Sequence, residues 1–262
     1  MKKITLFVLL VVASIGAYAQ LPNYVPTNGL CAFYTFSGNA VDSSINGNNG
    51  TVYGATLTTD RLGHANSAYF FNGSTDYIDV PNSSSLTFPN NSITVAFWGK
   101  IISVPSTGGY DGIILSKQAG SGNSMQGFNV QDNNNDNTGL LVSNGGGNFA
   151  GTNTGVQTIT VYHHYVFIYN NGTEKCYFDN VLLNNVTGLT ATIGANSMDM
   201  LIGQANWSNI NALNFNGNLD DMGIWNRELT ACEVSQLYNT ADVKDLLRYK
   251  RFAIFWNITK NL

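Results

Sequence analysis

Residues 165–178 read YVFIYNNGTEKCYF and contain the clearest hairpin in the sequence. Two short runs, Tyr165–Tyr169 and Lys175–Phe178, flank Asn170-Asn171-Gly172-Thr173, which is a turn sequence typical of adjacent antiparallel strands. Asp179-Asn180 then turns into Val181-Leu182-Leu183, because Asn tolerates the positive φ that a type I′ turn requires. This stretch therefore predicts three consecutive antiparallel strands.

The same pattern recurs along most of the chain. Short apolar or aromatic runs alternate with Gly, Asn, Asp and Ser, and helical periodicity is almost absent. The pattern predicts an all-β protein whose antiparallel sheets pack as a two-sheet sandwich. The remaining predicted strands are Leu30–Phe36, Ser67–Phe71, Tyr77–Val80, Ser92–Lys100, Gly112–Ser116, Gly139–Ser143, Met200–Gly203 and Leu219–Trp225.

One short C-terminal helix is predicted after the last strand. Thr230-Ala231-Cys232-Glu233 has the form of a capping box, in which Thr230 and Glu233 satisfy each other's backbone amides. Leu229 and Val234 flank the cap at the spacing of a hydrophobic staple.

The first nineteen residues have the pattern of a signal peptide. Lys2 and Lys3 precede the apolar run Ile4–Val12, and Ala17-Tyr18-Ala19 matches a signal-peptidase site. We therefore expect an exported protein, secreted or on a bacterial cell surface. The expected organisation is a signal peptide over 1–19, a linker over 20–27, one domain over 28–239 and a basic, apolar tail of open structure over 240–262. That tail either docks on the acidic domain or is an aberrant C-terminus.

Charge limits the classes of partner. Residues 21–239 contain five Lys or Arg against fourteen Asp or Glu. Nucleic acid is disfavoured as a partner because phosphate binding is driven by clustered cations, and no apolar run is long enough for membrane insertion. The balance suits cations or neutral ligands such as glycans. Three cysteines permit at most one internal disulfide, and the oligomeric state is open.

Five segments follow one another in order along residues 28–239: Gly29–Phe36 with the loop to Thr51, Phe70–Ile78, Ser92–Trp98, Tyr162–Val166, and Phe215–Leu229. Together they resemble the laminin G-like (LamG-like) domains of the concanavalin A-like lectin/glucanase superfamily. The resemblance implies a jelly-roll sandwich that recognises carbohydrate or glycoprotein, and related jelly rolls often hold a structural calcium.

The glutamates argue against catalysis. The glucanase branch of this superfamily carries paired Glu residues on one strand, whereas Glu174, Glu228 and Glu233 are far apart here. Adjacent His163 and His164 on an extended segment face opposite sides and cannot share a metal. We therefore expect a binding module with no catalytic residues. The alternatives are a glycan-degrading enzyme with an unrecognised Asp pair and a structural adhesion piece of a larger surface protein.

A structural calcium ion is the expected cofactor. The loop Gly38–Asn49 offers Asp42, Asn46 and Asn48, whose oxygens suit a hard cation. Asp220 is expected to point inward with Met222 and Ile224, where a carboxylate without a partner is costly and a cation would stabilise it. The alternative is that Asp42 caps a turn and that Asp220 accepts backbone hydrogen bonds.

An aromatic loop is the expected ligand site. Sugars stack on exposed rings while their hydroxyls bond to Asn and Asp. Trp207 and Asn206 follow a predicted strand in a polar loop, and Tyr110 and Asp111 in another loop support the same site. The alternative is that Trp207 is a buried anchor of its loop. Trp98 and Trp225 lie on predicted core strands, where packing is expected.

Overall fold

A computed structural model describes residues 20–103, 112–133, 137–154, 160–205 and 214–239. Within these ranges the chain forms two antiparallel sheets, which confirms the predicted sandwich. The strands are β1 (Leu30–Tyr34), β2 (Thr51–Tyr53), β3 (Thr56–Thr58), β4 (Ala68–Asn72), β5 (Tyr77–Val80), β6 (Ser92–Ser103), β7 (Gly112–Ala119), β8 (Gln126–Asn133), β9 (Asn137–Asn144), β10 (Phe149–Asn153), β11 (His163–Asn170), β12 (Thr173–Phe178), β13 (Val181–Val186), β14 (Met200–Ile202) and β15 (Asn216–Trp225). Sheet A has the order β13-β12-β11-β6-β15-β4-β3, with β1 also paired to β15, and sheet B has the order β10-β9-β8-β7-β14-β5-β2.

Every predicted strand is present, with ends shifted by a few residues, and four observed strands were not predicted. These four are β2, β3, β8 and β10. Strands β2 and β3 have three residues each, all exposed or half-buried, and neither shows a run of alternating apolar residues. The sequence of β8, QGFNVQDN, places amides between its apolar residues and so lacks the expected composition of a strand.

Both predicted hairpin turns have left-handed backbone at their two central residues. Asn171 and Gly172 have φ of 46° and 85°, and Asp179 and Asn180 have φ of 47° and 65°. Two consecutive positive φ values are the requirement of a type I′ turn, which matches the right-handed twist of the flanking strands. Strands β11, β12 and β13 are therefore consecutive antiparallel neighbours, as predicted.

The main core lies between the two sheets. Its largest members are fully buried aromatic side chains that interdigitate from both inner faces. Among them, Phe97 stacks on Tyr165 with ring centroids 5.1 Å apart, and Phe88 meets Phe128 edge to face at 5.3 Å. Both are favourable arrangements for aromatic pairs.

A second apolar cluster covers the outer face of sheet A. Tyr24 and Val25 of the N-terminal segment and Val234 and Leu237 of the helix pack there around Trp225. The indole Nε1 of Trp225 donates to the Pro26 carbonyl at 2.7 Å. Residues 20–27, expected to be a linker, thus pack against the domain.

The helix α1 covers residues 231–239 and begins with the predicted capping box. The amide of Thr230 donates to Glu233 Oε2 at 2.8 Å, and the amide of Glu233 donates to Thr230 Oγ1 at 3.3 Å. Arg227 holds the same carboxylate through both of its terminal nitrogens, at 2.9 and 2.6 Å.

No disulfide links the cysteines. Cys31 and Cys176 are buried free thiols, and Cys232 is an exposed free thiol. Among the described residues, no helix has the length and apolar composition that crossing a membrane would require.

Candidate functional site

The pairing of sheet B places one continuous row of residues on its outer face. Side chains of neighbouring residues in a strand point to opposite faces. The row Val52, Ile78, Ile202, Leu115, Val130 and Leu140 packs in the core, so the adjacent row must face outward. That outward row consists of Thr51, Asp79, Leu201, Ser116, Asn129, Leu141 and Gly151.

Residues in the middle of this outward row are buried, whereas those at its β2–β5 end are accessible to solvent. Ser116 and Asn129 are buried, whereas Thr51 is exposed and Asp79 is half-buried. The amide nitrogen of Asn129 donates to Gln118 Oε1 at 2.6 Å, but Asn129 Oδ1 has no hydrogen-bond partner. One carboxylate oxygen of Asp79, Oδ1, is likewise buried and unpartnered. Buried polar atoms of this kind are uncommon and need an explanation.

Two tyrosines form a ring platform at the accessible end. Tyr53 and Tyr77 are register partners of β2 and β5, and their rings stack with centroids 4.7 Å apart and an interplanar angle of 13°. Tyr53 is 45% exposed, so one ring face is open. We name the group Thr51, Tyr53, Tyr77, Asp79 and Leu201 the β2–β5 patch.

A neighbouring carboxylate acts on Asp79 of this patch. Burial, and then the charge of Asp199, raise the pKa of Asp79 above its ordinary value. Asp199 Oδ1 also accepts a hydrogen bond from the amide of Asn82 at 2.7 Å. The patch therefore combines a ring platform, a hydroxyl and a carboxyl with raised proton affinity.

The four predicted ligand residues, Tyr110, Asp111, Asn206 and Trp207, lie outside the described residues. The described residues that flank their segments are neighbours in the fold. Ile113 and Ala205 form a small buried cluster, and Ile113 bridges to Asn214.

Three of the predicted calcium ligands form a hydrogen-bonded loop. Asp42 Oδ1 accepts from the amides of Phe33 and Ser44 at 2.9 and 2.8 Å. Its Oδ2 accepts from the amide of Asn48 at 2.8 Å and from the Ser44 hydroxyl at 2.7 Å. The side-chain nitrogens of Asn46 and Asn48 donate to the Cys31 carbonyl at 2.9 and 2.8 Å.

The fourth predicted calcium ligand belongs to a different network. Asp220 does not point inward with Met222 and Ile224, because a bulge at Asp221, with φ of 43°, shifts the strand register. Asp220 ion-pairs with Arg61, and Asp221 Oδ2 binds the other guanidinium nitrogen at 2.8 Å.

These arrangements do not fit a calcium site made of the predicted residues. Both oxygens of Asp42 are already occupied by protein donors, and Asp220 has a cationic side chain as its partner. A cation beside Arg61 would be repelled. In the described part of the chain, no group of three or more His, Cys, Asp or Glu side chains is arranged to hold a metal ion.

The two adjacent histidines face opposite sides, as predicted. The His163 ring stacks on Phe178 at 4.6 Å, and its Nδ1 lies 2.6 Å from Asp179 Oδ2. His164 packs against Trp98 on the outer face of sheet A, where burial, and then Arg61, lower its pKa to about 3.

Trp98 and Trp225 are packing residues, as predicted. Trp98 stacks on Tyr238 of α1 with centroids 5.5 Å apart, and Trp225 is fully buried.

Sequence reasoning missed the β2–β5 patch, although part of its signal was present. The alternation in β5 places Tyr77 and Asp79 on one face. Tyr53 had no such signal, because β2 contains only three residues and was not predicted.

Similar structures share this fold at low identity. Domain 4 of AbnA, an extracellular GH43 arabinanase from Geobacillus stearothermophilus solved with arabinotriose, matches with a TM-score of 0.60 and 21% identity, over 81% of this chain and 100% of that domain. The binding domain of Paraclostridial Mosquitocidal Protein 1 matches with a TM-score of 0.64 and 18% identity, over 81% of this chain and 52% of that one. The ligand-binding domain of botulinum neurotoxin serotype D, solved with N-acetylneuraminic acid, matches with a TM-score of 0.60 and 16% identity, over 80% and 50%. This chain thus spans about half the length of the two toxin domains.

The sequence comparisons assign the family. No curated protein matches the chain. A laminin G family model, described as concanavalin A-like lectin/glucanases superfamily, matches residues 72–235, which is more than half of the sequence. With the two-sheet jelly-roll sandwich, this match establishes that the chain belongs to the concanavalin A-like lectin/glucanase superfamily.

Proposed function

We propose that this protein is a carbohydrate-binding module that holds a neutral glycan against the β2–β5 patch. The observation that carries the proposal is the exposed Tyr53 ring, stacked on Tyr77 beside the half-buried carboxyl of Asp79. A sugar presents an apolar face that stacks on a ring and hydroxyls that donate to nearby oxygens. The patch supplies both kinds of partner within two adjacent strands.

Neutral sugars fit the patch better than acidic sugars. Asp79 and Asp199 both place negative charge at this end of the outer face, and a sugar carboxylate would be repelled there. The carboxyl of Asp79 is half-buried, and a sugar hydroxyl would donate to the part of it that solvent reaches. Arabinotriose, the ligand of the similar arabinanase domain, is a neutral oligosaccharide.

The positions of the three glutamates support a module that binds a glycan without cleaving it. Glu228 pairs with Lys175 at 2.5 Å, and Glu233 is held in the helix cap. Glu174 is fully buried in the core, where a glycan cannot reach it. None of the three is available at the β2–β5 patch.

A glycan hydrolase is the second candidate, and one observation favours it. Asp79 has a raised pKa and lies within the electrostatic influence of Asp199. Glycosidases use two carboxyl groups, one of which has a raised pKa and acts as the acid.

Export remains part of the proposal and rests on the N-terminal sequence. Residues 1–19 have the charge, apolar run and small-residue site of a signal peptide. Glycans of polymers and cell surfaces would be accessible to an exported module.

Two assays on the mature chain test the proposal. We expect binding to neutral oligosaccharides on a glycan array, with no release of reducing sugar from the same polysaccharides. Reducing-sugar release that is lost in Asp79→Asn would favour the hydrolase. Absence of binding to every neutral glycan, with the protein folded, would overturn the proposal.

A further inference from the structure

An open cavity is lined by residues of the segment Leu86–Pro89, of β7 and β8, and of residues 193–196, and it includes no residue of the β2–β5 patch. Its volume is about 320 Å³, and its walls are mostly apolar. Pockets that bind small molecules have volumes of about 300–1,000 Å³ and are mostly apolar with few polar groups. The side chains that matter for the argument are Leu86, Phe88, Phe128, Ile193, Asn196 and Lys117.

Lys117 is the charged member of the wall. It is only 3% exposed, and its ammonium nitrogen donates to Met198 O at 2.6 Å and to Asn82 Oδ1 at 2.8 Å. A third contact, to the Asn196 carbonyl, is long at 3.4 Å. All three partners are neutral oxygens.

The buried ammonium has no anionic partner close by. Among the carboxylates that the structure describes, none lies within 4.0 Å of Lys117. Burial lowers the pKa of Lys117, and the more distant Asp199 opposes this effect. Buried charges in proteins are normally paired, because desolvation of an unpaired charge is costly.

The cavity wall is held in place by backbone contacts. Asn196 donates from its side-chain nitrogen to the Gln126 carbonyl at 2.9 Å, and the Gly194 amide donates to the Ser143 carbonyl at 2.9 Å. Gly127 has φ of +117°, and a Cβ at this position would lie 2.1 Å from the Lys117 carbonyl oxygen. The close approach of β7, β8 and residues 193–196 therefore requires glycine there.

We propose that this cavity is a second ligand site, for a small molecule that combines one apolar ring with a carboxylate. The ring would contact Phe88, Phe128 and Ile193, and the carboxylate would accept the long third hydrogen bond of Lys117. Charge-assisted hydrogen bonds to a desolvated ammonium are stronger than neutral ones. This proposal does not rest on the proposed glycan function, since the cavity includes no residue of the β2–β5 patch; the charge of Asp199 acts on both Asp79 and Lys117.

Isothermal titration calorimetry with phenylacetate and its neutral amide, phenylacetamide, tests the site. We expect saturable binding of phenylacetate, with affinity at least about tenfold higher than that of the amide, because only the carboxylate pairs with the ammonium. Equal affinity for both probes, or no binding of either, would overturn the proposal.

Two variants locate the binding. Lys117→Met should remove the preference for the carboxylate, whereas Lys100→Met, a lysine of β6 in sheet A, should leave it unchanged. If Lys117→Met does not fold, Ile193→Trp provides the second test, because the larger ring fills the cavity from a half-buried position. Phenylacetate binding that persists in Ile193→Trp would contradict the assignment. Tyr53→Ala should weaken glycan binding and leave phenylacetate binding unchanged, so that failure of one site is distinguishable from failure of the other.

Discussion

The rings of Tyr53 and Tyr77 stack across adjacent strands of sheet B with centroids 4.7 Å apart. The inner ring supports the outer one, so that Tyr53 keeps an open face although it lies on a three-residue strand. A platform fixed in this way loses little conformational freedom when a sugar stacks on it, which favours affinity.

Replacing Tyr53 with Ala should weaken glycan binding by about tenfold, since aromatic contacts contribute about 0.5–1.5 kcal/mol beyond their buried area. Tyr53→Phe should retain most of the affinity, because it keeps the ring. The affinities can be measured by calorimetry with the best glycan from the array. Leu182→Ala, at a similarly exposed position of β13, is the matched control and should bind normally. Unchanged affinity in Tyr53→Ala would place the glycan elsewhere.

Glu174 should make the protein less stable as pH rises. Burial raises its pKa from 4.5 to about 8, so the folded state holds a proton that the unfolded state releases. The stabilising contribution is complete below pH 4.5 and is lost as pH rises through about 8, with a total of roughly 3–5 kcal/mol. The free energy of unfolding, measured with urea at pH 5 and at pH 8, should therefore fall much less between these two pH values in Glu174→Gln.

Glu228→Gln serves as the control for that experiment. Burial raises the pKa of Glu228, but hydrogen bonds from Lys175 and Asn170 outweigh it, so the net shift is downward. The stability that Glu228 contributes is lost as pH falls, not as it rises. If Glu174→Gln lost as much stability between pH 5 and pH 8 as the natural protein does, this loss could not be assigned to Glu174.

Arg61→Met should destabilise the fold by about 3–5 kcal/mol, because it leaves the buried carboxylate of Asp220 and the half-buried carboxylate of Asp221 without a cation. Arg61 binds both Asp220 and Asp221 and also lies over the Trp98 ring, 4.8 Å from its centroid. Adding Asp220→Asn to Arg61→Met should recover part of the loss, and a double-mutant cycle by chemical denaturation measures that coupling. Purely additive losses would mean that the two side chains act independently.

Thr230→Ala should cost about 1 kcal/mol, because it removes the acceptor for the Glu233 amide at the start of α1. Thermal unfolding measures the loss. Cys232→Ser changes an exposed residue of the same helical turn and should leave stability unchanged. An unchanged melting temperature in Thr230→Ala would show that α1 does not contribute to the cooperative unit.

Asp42→Ala should cost roughly 2–4 kcal/mol, because it leaves buried amide donors unsatisfied. If Asp42 acts through the hydrogen bonds from the amides of Phe33 and Asn48, the loss of unfolding free energy in Asp42→Ala should be the same in calcium chloride and in excess chelator. A loss that appears only with calcium would restore the predicted metal site. Chemical denaturation under both conditions separates the two cases.

The features that could be predicted from sequence are those fixed by local chemistry. The turns at Asn171-Gly172 and Asp179-Asn180 follow from residues that accept positive φ, and the Thr230 cap follows from four consecutive residues. Strand positions followed from composition where apolar or aromatic residues dominate the strand, whereas β8, which has eight residues but several amide side chains, was not predicted.

The candidate site could not be predicted because it depends on lateral pairing. Tyr53 and Tyr77 meet only through the β2–β5 register, and the outward row joins strands from Thr51 to Gly151. Asp220 pairs with Arg61, which is 159 residues away in the sequence. The bulge in β15 that sets the direction of Asp220 has no signal in the sequence. The same bulge explains why Asp220 was expected on the wrong face.

The packing of the N-terminal segment and α1 on sheet A has a consequence for architecture. Tyr24 and Leu237 belong to the same apolar cluster, so both ends of the described domain are anchored on one side of the sandwich. The β2–β5 patch lies on the outer face of sheet B, on the opposite side. A molecule that approaches this patch would therefore meet neither the N-terminal segment nor α1, so contacts at one face of the sandwich need not disturb the packing at the other.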